Sequence, residues 1–340
     1  MDTLKRRMLT IPLVLAVAGL MFGLLPLLLL ASLAVDLARG WRARSQAVTR
    51  LVLFGAGYLV GQVLGLVALF LAWVVAGFGS AQSQLLTSTY AIQRAWVAWN
   101  FGAVRRLFRL SFDFDGEETV ALAPPGPLVV FMQHTSLVDT LLPTTFLTAR
   151  HGLRLRWVLK RELLVDPCLD VAGHRLPNAF VARGGADTER AVAAVKALAR
   201  DLGPADGVLI YPEGTRFTPA RREAALAKLA SEPARLARAS RLRHVLPPRP
   251  GGPLALLEAA PEADILFLAH VGFEGLASVA AILSGDLVGR TVRLRAWRVA
   301  RAEVPHDTSE RRRWLEARWE ALDAWVHAAS GHDDGGRTAC

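Results

Sequence analysis

The stretch that decides the fold is Val129-Val130-Phe131-Met132-Gln133-His134-Thr135-Ser136-Leu137-Val138-Asp139. Its first four residues are consecutive apolar β-formers, the composition of a strand buried on both faces. They end in a polar cluster, after which Leu137, Leu141 and Leu142 take up helical spacing, so the reading is a strand that hands over to a helix. His134 and Asp139 stand at the junction. On a regular helix residues five apart diverge by about 140°, because each one turns by about 100°. The two side chains meet only if His134 precedes the helix and the turn folds back. A satisfied core histidine beside a helix-capping aspartate is the plainer reading of the pair, and the rest of the chain has to choose.

The same logic recurs at Tyr211-Pro212-Glu213-Gly214-Thr215-Arg216-Phe217-Thr218, where an apolar strand at residues 207–211 stops in a polar turn with a glycine. In open α/β sheets, ligands bind at such carboxyl ends of strands. Further strands are expected at residues 154–159, 179–182, 244–247, 264–271 and 291–297, interspersed with helices at 188–202, 220–243 and 253–260. The alternation predicts an α/β domain with a largely parallel central sheet flanked by helices. In the last strand Arg alternates with apolar residues, which predicts one buried and one wet face. Asp307 followed by Glu310 then opens a final helix, with Leu315, Trp319, Leu322 and Val326 on one face.

The 340 residues leave room for one large domain or two ordinary ones. The chain is 52% hydrophobic with a mean hydropathy of +0.31, and most of the excess lies in its first quarter. After the basic start Lys5-Arg6-Arg7, residues 13–35 carry no charge, long enough to cross a hydrocarbon layer of about 30 Å as a helix. A signal peptide would stop sooner, at small residues. A second uncharged run continues from residue 51 past 78, with Gly57, Gly61 and Gly65 four apart on one helix face, where a neighbouring helix can approach closely. The two runs predict an N-terminal two-helix membrane anchor. Arg39, Arg42, Arg44 and Arg50 between them must reach water or headgroups, which two spanning helices and a shallow hairpin both allow.

Residues 91–112 interleave Trp96, Trp99, Phe101 and Phe108 with Arg94, Arg105, Arg106 and Arg109. That pattern fits an interfacial amphipathic helix, and equally a helix packed on the globular domain. Pro124-Pro125-Gly126-Pro127 punctuates the entry to the folded domain. The expected organisation is thus an anchor at 1–82, an interfacial helix and linker at 83–123, an α/β domain at 124–330 and a disordered tail at 331–340.

The net charge of +10 suits an anionic partner such as a phospholipid surface, a phosphorylated substrate or an acidic carrier protein. No nucleic-acid module is recognisable, so nucleic acid is not expected as a partner. Cys168 and Cys340 show neither metal-ligand spacing nor a disulfide framework. No metal site is expected, and a reducing cytoplasmic compartment is the default.

Taken together, His134-x4-Asp139 and Glu213-Gly214-Thr215-Arg216 resemble the paired motifs of the membrane glycerolipid acyltransferases that include 1-acylglycerol-3-phosphate acyltransferase. Lys160-Arg161-Glu162-Leu163 and Phe180-Val181-Ala182-Arg183 resemble that family's middle motif, and His244-Val245-Leu246-Pro247-Pro248-Arg249 its proline-containing fourth motif. The fourth stretch, with Val304-Pro305 and Trp314-Leu315, is most like the branch containing lysophosphatidic and lysocardiolipin acyltransferases. Two departures are Gln133, where the family usually has asparagine, and the spacing before Phe180.

The resemblance implies a membrane-bound enzyme that transfers a fatty acyl group from acyl-CoA or acyl carrier protein to the hydroxyl of a lysophospholipid, most simply 1-acylglycerol 3-phosphate. Chemistry fits the residues independently. A histidine titrates near neutrality and can take the hydroxyl proton, so His134 is the expected base. Asp139 would hold its ring in the useful tautomer. Backbone N–H groups after His134 would offer an oxyanion site. Ser136 lacks a Gly-x-Ser-x-Gly elbow and is not expected to be a nucleophile. Arg183 and Arg216 at strand ends, with Lys160, would receive a phosphate. Gly214 and Thr215 complete the acceptor motif, and Glu213 would either engage the acceptor's glycerol oxygen or brace the Gly214 turn.

No cofactor beyond the thioester substrate is expected. The alternatives are remodelling of another lysophospholipid, a non-catalytic lipid-binding protein, and a hydrolase. The bias toward Ala, Arg and Leu suggests a GC-rich bacterial source, hence the inner (cytoplasmic) membrane with the α/β domain facing the cytoplasm.

Overall fold

The computed structural model describes residues 3–40, 46–121, 126–136, 138–181, 188–274, 276 and 278–331. β2 (Leu128–Met132) is buried along its whole length. Val129 and Phe131 enter the core on one side of the sheet, and Leu128, Val130 and Met132 the core on the other. Burial on both faces is why the strand reads as an unbroken apolar run.

Parallel neighbours flank β2, namely β5 (Asp206–Ile210) and β6 (Asp264–Val271). Beyond β5 lie β3 (Arg154–Lys160) and the edge strand β4 (Ala179–Val181), again parallel. On the other side β7 (Thr291–Val299) pairs antiparallel with β6 and carries β1 (Ser111–Asp115) parallel to itself. The order of the seven-stranded sheet is β1-β7-β6-β2-β5-β3-β4, a parallel block with a reversed pair at one edge.

The described helices are α1 (Thr3–Ala38), α2 (Ala47–Val75), α3 (Gln82–Leu107), α4 (Glu117–Ala121), α5 (Leu141–Pro143) running into a π-helical turn (Thr144–Ala149), α6 (Pro167–Arg175), α7 (Thr188–Leu198), α8 (Pro219–Ala227), α9 (Pro233–Ala239), α10 (Gly251–Ala259), α11 (Val279–Leu283) and α12 (Thr308–Gly331). Val195, Leu256, Leu315, Trp319 and Leu322 bring α7, α10 and α12 onto one face of the sheet. Val104, Phe108, Phe146 and Leu147 bring α3 and the π-helical turn onto the other. Asp307 caps α12, its Oδ1 accepting from the N–H of Ser309 and of Glu310 at 2.9 Å each.

Three expectations change. Residues 244–247 do not form a strand. The N–H groups of Arg243, His244 and Val245 donate to the Asp323 carboxylate, and that of Leu246 to Glu213, so the donors a ladder needs are taken by side chains. The helical region 220–243 is broken in two: α8 ends at Ala227, and Pro233, which needs no N–H partner at the first helical position, opens α9. The segment 83–123 holds a sheet strand, β1, whose half-buried Phe112 and Phe114 alternate with exposed Ser111, Asp113 and Asp115. The expectations for Pro124-Pro125, Ala182 and the tail beyond Gly331 fall outside the described residues.

The N-terminal hairpin is built inside out. α1 buries Arg6, Thr10, Ser32 and Asp36 while Leu9, Leu13, Leu20, Leu27 and Leu30 are exposed, the reverse of a helix in water. α1 and α2 are the two helices among the described residues long and apolar enough to cross a membrane, and they are candidate membrane anchors. Yet the hairpin is tied to the α/β domain at several points. Arg6 makes two hydrogen bonds to the buried Asp170 of α6 at 2.9 and 2.8 Å. Arg175 donates to the Leu69 carbonyl at 2.8 Å, and Arg50 to the Leu107 carbonyl at the end of α3.

The glycine face of α2 receives α3. A Cβ on Gly61 would sit 3.0 Å from Trp99, and one on Gly65 2.9 Å from the Cys168 sulfur and 3.3 Å from Trp96. The spacing of these glycines permits that approach.

Candidate active site

The turn after β2 folds back as the His134–Asp139 contact requires. His134 Nδ1 lies 3.1 and 3.2 Å from the two oxygens of Asp139. A carboxylate only accepts, so Nδ1 carries the proton and Nε2 keeps its lone pair. Asp139 Oδ2 also accepts from the N–H of Thr135 and of Ser136, each at 2.8 Å. Burial alone would push the Asp139 carboxyl up, but the hydrogen bond with His134 and the nearby His270 imidazole hold it well below the usual carboxylate range. The His134 ring lies against Tyr211 with centroids 4.5 Å apart. Burial, and then the Asp139 charge, push the Tyr211 phenol well above its ordinary value.

The backbone donors of the turn are spent on the turn itself. The N–H groups of Val138 and Asp139 go to Ser136 Oγ at 3.0 and 3.2 Å, and that of His134 goes to Glu213 Oε1 at 2.8 Å. Every described N–H from 134 to 139 therefore has an acceptor, while Leu137 lies outside the described residues. Ser136 Oγ accepts bonds that close the turn, a structural use.

Glu213 sits behind the site. Its two oxygens accept from the N–H of His134 and of Leu246, at 2.8 and 2.9 Å, so it ties the end of β2 to the fourth motif. Each oxygen thus accepts one backbone N–H and the residue is buried, the geometry of the bracing role. Thr215 is likewise buried, and neither residue lines the cavity onto which His134 opens. Burial pushes the Glu213 carboxyl up to about 8, the two backbone donors offsetting part of the rise. Between the ordinary carboxylate range and about 8 the folded chain therefore holds a proton that the unfolded chain has lost, so its stability falls as pH rises through that window. Thermal unfolding from pH 5 to 9, values chosen to bracket about 4.3 for an ordinary glutamate, is expected to show this slope in the wild type and a flatter one in Glu213→Gln.

His134, Ser136, Lys160, Gly214 and Arg216 line one cavity of about 940 Å³. It extends to Leu51, Phe54 and Leu69 of α2 and to Val97, Val104 and Phe108 of α3, so the polar turn opens onto an apolar space made in part by the hairpin. Arg216 Nη1 is buried without a hydrogen-bond partner among the described residues, a charged donor at the cavity wall. Arg183 lies outside the described residues.

Two residues received no site role from the sequence. Arg249, the last residue of the fourth motif, lines the same cavity, and its N–H donates to the Pro212 carbonyl at 2.9 Å. His270 lies 3.5 Å through Nε2 from Asp139 Oδ2, with both side chains fully buried. A histidine inside the apolar run 264–271 was the available signal. Gln133, the departure from the family's asparagine, reaches across to the His270 carbonyl, its Nε2 donating at 2.6 Å.

Residues 112–253 match a family model described as Acyltransferase. No curated protein matches the sequence. Among solved structures, the chain is similar to the crystal structure of the 1-acyl-sn-glycerophosphate (LPA) acyltransferase PlsC from Thermotoga maritima, with a TM-score of 0.51 and 15% identity over 83% of this chain and 98% of that one. That likeness is one of fold: the mostly parallel sheet, its flanking helices and the apolar N-terminal pair.

Proposed function

We propose, from the match of residues 112–253 to a family model described as Acyltransferase, that the chain transfers a fatty acyl group from a thioester, acyl-CoA or acyl carrier protein, to the hydroxyl of a lysophospholipid. The simplest acceptor is 1-acylglycerol 3-phosphate, giving phosphatidic acid. The observation that carries the reading is the buried His134–Asp139 pair at one end of an apolar cavity whose wall also holds Lys160, Arg216 and Arg249.

In this mechanism His134 Nε2 removes the proton of the acceptor hydroxyl as its oxygen attacks the thioester carbonyl. The carbonyl oxygen becomes an oxyanion. Because the described turn amides are occupied, stabilising it falls to a cationic side chain at the cavity wall, Lys160. Collapse breaks the carbon–sulfur bond, and the leaving thiolate takes the proton from the imidazolium. Asp139 stabilises that imidazolium and fixes its tautomer throughout. Residues and thioester suffice, with no further cofactor in the scheme. The apolar end of the cavity takes the acyl chain, whose transfer out of water is favourable by about 0.8 kcal/mol per buried CH₂.

Arg216, with its unpartnered Nη1, is assigned to the acceptor phosphate, Arg183 remaining a second candidate by resemblance. Arg216→Ala is expected to raise KM for lysophosphatidic acid by about 10- to 100-fold, the range of a charge-assisted hydrogen bond, and to change KM for a lysolipid without phosphate far less. An equal loss on both acceptors would remove Arg216 from that role.

The hairpin is read as lying in one leaflet, since Arg6 ties α1 to α6, and α2 is tied to α3 through Arg50 and to α6 through the Leu69 carbonyl, while their apolar residues face outward. This arrangement leaves the α/β domain on one membrane surface, proposed to be the cytoplasmic side of the inner membrane.

A further inference from the structure

His270 is fully buried near the end of β6. The parallel register pairs Met132 with Leu268, and continuing it along both chains sets His134 level with His270. Between the two rings lies Asp139, with His134 Nδ1 at 3.1 Å and His270 Nε2 at 3.5 Å. Neither nitrogen of His270 has a hydrogen-bond partner closer than this among the described residues. A buried imidazole N–H without an acceptor is costly, and the Asp139 carboxylate, 3.5 Å from Nε2, is the charged acceptor within reach. The ring is also held in place: it meets Phe273 edge-on at 5.6 Å, and the His270 carbonyl is clamped by Gln133 at 2.6 Å.

Resting on the acyl-transfer reading, we propose that His270 is a positioning residue, which holds Oδ2 of the Asp139 carboxylate and limits how strongly that carboxylate stabilises the His134 imidazolium. A donor on Oδ2 draws charge from the carboxylate, so the imidazolium is held less tightly and the proton returns more readily to the leaving thiolate. The charged and titratable groups around this pair are Asp139 and His134 on the β2 turn, Tyr211 and Glu213 at the end of β5, and Glu274 and Arg290 beside the end of β6. Arg293 and Arg295 of β7 flank Leu294, the register partner of His270. Of these, among the described residues, Asp139 is the one that meets the His270 side chain, at 3.5 Å.

The test compares His270→Leu, which removes the donor, with His270→Gln, which keeps an N–H donor at similar reach, in the full-length protein. Acyl transfer is measured against pH, alongside thermal unfolding. In the leucine variant kcat is expected to fall by about tenfold and the acid limb of kcat/KM to move to higher pH by about half a unit, because the unshared carboxylate holds the imidazolium more tightly. The glutamine variant is expected to keep the wild-type limb. His270→Met serves in the same comparison where leucine does not fold.

A fall in kcat with an unmoved acid limb, or glutamine behaving like leucine, would assign His270 to packing and overturn the proposal. Either result in an enzyme that still requires His134 leaves the acyl-transfer reading standing. Full activity in His134→Ala would remove that reading itself.

Discussion

His134→Ala is expected to reduce acyl transfer by about 10²- to 10⁴-fold, the span a positioned general base contributes, with the fold retained. The side chain is replaceable without loss of the turn, because the turn is closed by other groups. Asp139 Oδ2 keeps the N–H groups of Thr135 and Ser136, Ser136 Oγ keeps those of Val138 and Asp139, and the His134 amide keeps Glu213. The carbonyl of residue 134 still accepts from the Phe217 N–H at 2.7 Å. The loss is expected in kcat, with acyl-chain binding unchanged, since the apolar cavity on α2 and α3 does not depend on the ring. Thermal unfolding of the variant, measured beside the assay, separates lost chemistry from lost structure.

Asp139→Asn is expected to cost about 10³- to 10⁴-fold in kcat, by the tautomer argument that applies to catalytic triads. The amide oxygen would take over the Thr135 and Ser136 donors, which turns the NH₂ group toward His134 Nδ1. That nitrogen would then have to accept, its proton would move to Nε2, and the base would be lost where the substrate hydroxyl approaches. Stability should change too, in a pH-dependent way. Asp139 has its carboxyl held well below the ordinary range in the folded protein. The unfolded chain binds the proton first as pH falls, so the stabilisation is full above about 4, the unfolded value, and is lost on going down toward the folded one. The asparagine variant lacks this contribution, and its unfolding midpoint should vary less with pH in acid.

The parts of the site that were legible in the sequence are those written in local spacing. His134 and Asp139 sit in one turn, and the turn is announced by β2 ending in polar residues. Arg216 follows from the same pattern at the end of β5. His270 was not legible as a site residue, because its contact with Asp139 exists only through the pairing of β2 with β6, which residue spacing does not encode. The role of Glu213 was open for a similar reason: whether a glutamate faces a substrate or a backbone depends on where the fourth motif runs, and Leu246 supplies the donor that settles its geometry.

The fold was readable where burial on both faces makes continuous apolar strands, as in β2, β5 and β6. It was misread where side chains replace a ladder, as when Asp323 collects three backbone N–H groups from residues 243–245. The reversed β7–β1 edge was likewise invisible, since the direction of a strand leaves no mark on its composition.

The central claim is most directly tested by offering the purified full-length protein a labelled oleoyl thioester, on CoA and on acyl carrier protein, with a panel of lysophospholipids, and identifying the labelled product by mass. The account predicts label in a diacyl phospholipid that retains the acceptor's phosphate, strongest with lysophosphatidic acid and absent in His134→Ala. Label appearing only as free fatty acid would mark a hydrolase, and no transfer from either thioester to any acceptor would contradict the account in favour of a lipid-binding protein.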